Sequence, residues 1–471
     1  MLRTLFFLSF GLGSNYLFNI LLARDLGAEQ YGVFSLALAT FNIAVLLSVG
    51  GLDQAAVRFI PYFQREDSHG LPDFTRSLFV FGVIGSAISA FGFWLSSRHL
   101  IGIESPQLIA AMTAGSALLP LLTIWLAILQ GHHLLMPRLW IKYCLEPGAK
   151  IGIAMLFLSL GWGALAPAIG MVAAFALALL ALLCLYSRYF FHSGATIDQD
   201  SMRSIAGFCW PLIAASAFTV VAARADTLIV GHWLSKVETG QYAVALQSAA
   251  ILAIVLQAIE MVSTSRFSAA IAGNRIDELQ REFAKATRWS ILLGLPIGLT
   301  LITNAETFMK LFGEEFQGAS AAFAVLCVSQ LCNLATGPAN PILIMAGATR
   351  TVMRNDIFYG VAIFACVLAG TMLNGLTGAA WGAAIANSLL NIWRVRCVWN
   401  RFGIHPYSRY LLRPLGAAAF VVTLESFFGA TLGTLNLFVV PSAVLLSILI
   451  LGLHTDDHLL LRSWIDKQRA S

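Results

Sequence analysis

Charge is what this chain has least of. Only 11% of its 471 residues are Asp, Glu, Lys or Arg, against about 25% in an ordinary soluble protein. Cysteine occurs seven times, but Cys144, Cys184, Cys209, Cys327, Cys332, Cys366 and Cys397 all lie in or at the ends of apolar runs. Their spacing suits neither a metal site nor a secreted disulfide framework, so they read as small core residues. Catalytic signatures are missing too: no Walker lysine loop, no His-Glu-x-x-His, no Gly-x-Ser-x-Gly, and His132-His133 stand alone. No catalytic residue, metal or cofactor is therefore expected. What remains is apolar: 58% of the residues, with a mean hydropathy of +0.78. That excludes disorder and a large soluble domain, and indicates an all-α integral membrane protein.

A window of about 19 residues finds apolar segments at 4–23, 32–52, 77–97, 107–130, 143–162 and 165–186. After the polar stretch Arg188 to Arg203 come 207–231, 239–262, 289–306, 320–346, 355–374 and 376–393, then 411–432 and 435–453. About fourteen transmembrane helices are thus expected, using roughly 280 residues at about 20 each. The first run is too long for a signal peptide and lacks a small-x-small cleavage site, so it reads as an uncleaved span.

Basic residues orient the chain. With both termini cytoplasmic, Arg24, Arg98, Arg224, Lys236 and Lys310 fall outside and Lys150 within a span, while the other 23 of the 29 Lys and Arg fall inside. They are spread over alternate loops, which suits topology and anionic headgroups and argues against nucleic acid.

Self-comparison reveals a repeat. A shift of 208 residues lays Leu26–Ala37 on Leu234–Ala245 without a gap, matching Gly32 to Gly240 and facing Phe34 with Tyr242; it also lays Arg58-Phe59 on Arg266-Phe267. Each unit has an even number of spans, so both copies enter from the same side. The expected domains are a six-helix lobe at 1–187, a cytoplasmic linker at 188–206, a second six-helix lobe at 207–396, and two further helices with a tail at 397–471.

The stretches Leu22–Ala37, Gly50–Phe59, Asp226–Ser235 and Gly240–Ala245 resemble the polysaccharide transporters, the O-antigen flippase branch of the multidrug/oligosaccharidyl-lipid/polysaccharide exporter superfamily, of which the multidrug exporters are another branch. The resemblance implies a bacterial inner-membrane flippase that carries an undecaprenyl-pyrophosphate-linked oligosaccharide to the outer leaflet by alternating access, for polysaccharide biosynthesis such as that of lipopolysaccharide. Expected partners are that lipid-linked substrate and membrane lipids, with polysaccharide polymerase and glycosyltransferases as further candidates. The alternative is a cation-coupled small-molecule exporter of the same superfamily. An integral-membrane polymerase is disfavoured because the longest outer connection, 307–319, has little room for a site.

Ionisable residues within spans are costly and usually face a cavity or a partner. Arg24 with Asp25, and Arg224 with Asp226, bring an Arg and an Asp toward the outer side in each lobe, where guanidinium groups could hold a pyrophosphate. Interfacial solvation is the bland alternative. Glu146 and Lys150 share a helix face and could line an inward-open cavity or form a local pair. Asp226 and Glu260 are coupling-ion candidates. Arg58 and Arg266 are inner-gate candidates, although positive-inside anchoring also explains them. The segments 61–76 and 268–288 suit helices lying on the membrane surface, and Glu425 falls in the thirteenth span.

Overall fold

The computed structural model describes residues 2–66, 71–99, 105–187, 222 and 224–407. The linker 188–206, most of the seventh apolar segment, the last two apolar segments with Glu425, and the tail lie outside these residues.

Among the described residues the regular structure is all helical. In order it comprises α1 (Leu2–Val49), α2 (Leu52–Glu66), α3 (Leu71–His99), α4 (Pro106–Gly131), α5 (Leu135–Trp140), a π-helix (Ile141–Leu145), α6 (Glu146–Ser159) and α7 (Leu165–Tyr186). Then come α8 (224–233), α9 (Lys236–Ala249), α10 (Ile251–Ala272), α11 (Ile276–Thr303), α12 (Ala305–Lys310), a 3-10 turn (Glu314–Ala319), α13 (Ser320–Thr336), α14 (Ala339–Met345) and α15 (Thr349–Phe402). Among the described residues eight helical stretches are long and apolar enough to cross a membrane. The chain is a multi-pass membrane protein.

Two helices are too long to be single spans. At 1.5 Å per residue, the 48 residues of α1 would reach about 72 Å and the 54 of α15 about 81 Å, against about 30 Å of hydrocarbon. Each is broken in the middle. Gly27 in α1 has φ 71° and ψ 173°, and the Tyr31 hydroxyl donates to Asn19 Oδ1 across the break at 3.1 Å; residues twelve apart in an unbroken helix would stand about 18 Å apart. In α15, Gly375 has φ 53° and ψ −133°. A Cβ on Gly370 would lie 2.1 Å from the Gly378 carbonyl oxygen, and one on Gly378 1.9 Å from that of Gly370. Backbone therefore packs on backbone, as small residues allow between membrane helices.

Apolar segments expected on described residues are helical over most of their length, with instructive departures. The 320–346 segment is not one helix: α13 stops at Gly337, with φ 64°, and Pro338, which has no N–H to donate, precedes α14. The 268–288 segment is divided at Asn274, with φ 51°, between the end of α10 and the start of α11. Helix formation around the fifth segment begins earlier than expected and passes through the π-helix before α6.

The chain forms two compact units. One runs to Ala243 and takes in Leu311–Phe316; the other comprises Val244–Lys310 and the chain from Gln317. In the first, Phe41 is 1% exposed and meets Phe93 edge-on and Phe175 in a stack, joining α1, α3 and α7. In the second, Phe267, Phe283, Ile342 and Val398 are fully buried together. α3 shows the burial pattern of a lipid-facing helix: Ser86, Ser89 and Phe93 are buried, whereas Ile84, Ile88 and Phe91 are exposed.

Candidate functional site

A polar track runs through the first unit along the opening half of α1. Asn15 and Asn19 are one turn apart and so share a face of an otherwise apolar helix. Asn19 Nδ2 donates to the Asn15 carbonyl oxygen at 2.7 Å, and Asn19 Oδ1 accepts from Tyr31. Asn15 Oδ1 accepts from Lys150 Nζ at 2.7 Å, and the same ammonium sits 4.8 Å from the centre of the Phe18 ring. Neither the aromatic face nor the amide oxygen carries a charge that balances the ammonium.

The π-helix adjoins this arrangement. Lys142 and Glu146 flank its last turn four residues apart, with Lys142 Nζ 2.9 Å from Glu146 Oε2. Glu146 is thus paired with Lys142 one turn back, while Lys150 donates to Asn15. Lys142, Glu146 and Lys150 together carry one excess positive charge. Lys150 is half-buried and Asn15 exposed. A lysine and an amide within an apolar span, open on one side, suit a polar space better than lipid.

Asp226, on α8, is buried, and its Oδ1 accepts from the Thr227 N–H at 2.6 Å and the Thr227 hydroxyl at 3.2 Å, with the Tyr242 hydroxyl 3.4 Å from Oδ2. Arg224 is half-buried near it. Arg24 and Asp25 are both exposed at the end of the first half of α1. An open groove of about 970 Å³ lies nearby, lined by Glu29, Ser105, Gln107, Trp162 and Lys236 among others. One wall is held where Gln30 Oε1 accepts from the Ala164 N–H at 3.1 Å.

The remaining candidates divide between the two units. In the first, the exposed Arg58 guanidinium lies 5.4 Å from the Phe59 ring centre. In the second, Arg266 Nη1 pairs with Glu282 Oε2 at 3.1 Å. Glu260, also in the second, is half-buried on α10 and feels the charge of Arg394, whose Nη2 binds Asp356 Oδ1 at 3.1 Å. Among the described residues no three His, Cys, Asp or Glu side chains gather as a metal site.

Sequence reasoning restricted to ionisable groups passed over Asn15, Asn19 and Tyr31. The signal that finds them is two amides four residues apart inside a run that is otherwise apolar.

This architecture has solved counterparts. A structure described as lipid II flippase MurJ, inward closed conformation, superposes with a TM-score of 0.75 at 14% identity over 96% of this chain and 98% of that one. An inward-facing multidrug resistance MATE family transporter of the MOP superfamily gives 0.71 at 16% identity, over 83% and 94%. The fold is that of these membrane transporters. The chain belongs to the family described as polysaccharide biosynthesis protein, whose model matches residues 21–321. Teichuronic acid biosynthesis protein TuaB of Bacillus subtilis (strain 168) is 22% identical over 251 residues, and this chain spans about half the length of that curated relative.

Proposed function

We propose that this protein is a flippase for a lipid-linked oligosaccharide. In this reading an undecaprenyl-pyrophosphate-linked unit passes from the cytoplasmic to the outer leaflet of a bacterial inner membrane, by alternating access between six-helix lobes at 1–187 and 207–396. Residues 188–206 link the lobes and 397–471 add a helix pair and tail. A relative named for teichuronic acid biosynthesis and a fold shared with a lipid II flippase support the substrate class.

The observation that carries the proposal is Lys150. It is an ammonium within an apolar span, held by Asn15 and Phe18, while the nearby carboxylate of Glu146 is engaged by Lys142. Its remaining N–H directions suit a phosphate oxygen. Arg24 and Arg224 would meet the pyrophosphate further along the path, with Asp25 and Asp226 beside them; Asp226 and Glu260 are the acidic positions for a coupling ion, and Arg58 and Arg266 would close the inner side. A carrier of cationic drugs would place acidic groups where Lys150 stands.

Deleting the gene in its host tests this. The expected result is loss of surface polysaccharide with single lipid-linked units trapped on the cytoplasmic leaflet, restored by the wild-type gene but not by Lys150→Ala. Normal delivery of units to the outer leaflet in the deletion strain would contradict it.

A further inference from the structure

The break in α1 at Gly27 leaves the second half of that helix with a bare N-terminus. Helix starts have N–H groups with no partner within the helix, and the helix dipole favours a negative charge there. The partner here comes from 287 residues away: Glu315 Oε2 accepts from the Ala28 N–H at 2.8 Å. Only a residue without a side chain fits at position 27, since a Cβ there would lie 3.0 Å from that oxygen and φ is already positive.

The rest of the segment is fitted as closely. Gln241 Nε2 donates to the Glu315 carbonyl oxygen at 2.7 Å. Phe316 is fully buried with its ring edge-on to Tyr31, and Phe312, 2% exposed, is edge-on to Tyr16. Residues 311–316 therefore pack with the first unit, although the chain on either side of them, through Lys310 and from Gln317, belongs to the second.

We propose that Leu311–Phe316 is a releasable strap over the break in α1, with the Glu315 carboxylate on Ala28 as its catch. The inference rests on the transport reading above for its place in a cycle. Two buried aromatics supply the area, and one charge-assisted hydrogen bond supplies the register. Glu315 is a positioning residue in this scheme and touches no substrate.

Hydrogen exchange read by mass spectrometry on the full-length protein in lipid nanodiscs tests the strap without reference to substrate. Glu315→Ala should raise exchange about tenfold in peptides covering both 28–31 and 311–316, the factor that follows from losing one charge-assisted hydrogen bond of ordinary strength. Glu315→Gln keeps an acceptor in the same place and should restore most of the protection. An unchanged rate, or a rise confined to 28–31, would overturn the strap. In the leaflet assay, Glu315→Ala should alter transport while Glu315→Gln stays near wild type; equal transport in all three, with exchange changed as expected, would remove the strap from the cycle. Absence of transport by the wild type would instead fault the functional reading, and the exchange result would still decide whether the strap exists.

Discussion

Gly32 and Gly240 meet backbone to backbone. A Cβ on Gly32 would fall 1.9 Å from the Lys236 carbonyl oxygen, and one on Gly240 would fall 2.0 Å from the carbonyl oxygen of Ala28. Both glycines are 208 positions apart, and so are Ala28 and Lys236. The contact is therefore reciprocal under that offset. A side chain at either position would meet backbone, so only glycine fits at both.

Alanine at either position should therefore be poorly tolerated. Gly32→Ala and Gly240→Ala are each expected to destabilise the protein by about 1 to 3 kcal/mol, the range for overpacking a tight contact. Gly152→Ala meets nothing within 4 Å and should be neutral or stabilising by about 0.5 to 1 kcal/mol, because alanine is the better helix former. Thermal unfolding in one detergent compares the three directly.

Lys150→Ala should reduce transport roughly tenfold or more, as expected for losing a charged hydrogen bond to substrate, while the protein stays folded and membrane-inserted. Asn15→Ala should do part of the same, since it frees the ammonium from its acceptor without removing the charge. Transport rates of the single and double variants in membrane vesicles check this, and additive losses would show that the two side chains act apart.

Glu146→Gln behaves differently if the ion pair is with Lys142. The two side chains are 38% and 14% exposed, so the pair is partly screened and is expected to contribute under about 1 kcal/mol. Its loss should change unfolding temperature little and affect transport less than Lys150→Ala does. A loss equal to that of Lys150→Ala would place Glu146 in the substrate path.

Gly375 provides a fourth test. Its φ of 53° and ψ of −133° suit glycine and strain other residues, so Gly375→Ala should cost about 1 to 3 kcal/mol. The expected signs are a lower unfolding temperature and greater protease sensitivity within α15, with the substrate contacts untouched.

The apolar spans were legible in the sequence because lipid demands long apolar runs. Side-chain partnerships were much less so. Glu146 stands four residues from both Lys142 and Lys150, so spacing alone does not choose between them, and the fold pairs it with Lys142. The bond from Ala28 to Glu315 spans 287 residues, and only the folded chain brings the two together. Asn15 was readable in principle, since an amide inside a span needs a partner, but its partner lies 135 positions away.

The most direct measurement uses purified protein in proteoliposomes carrying a lipid-linked oligosaccharide in one leaflet, with accessibility of the sugar to an external enzyme read over time. The account predicts that wild-type protein brings the sugar to the opposite leaflet far faster than protein-free vesicles do, and that Lys150→Ala loses most of this rate. Wild-type vesicles no faster than empty ones, with the protein folded and oriented, would contradict the flippase assignment; a fully active Lys150→Ala would contradict the site.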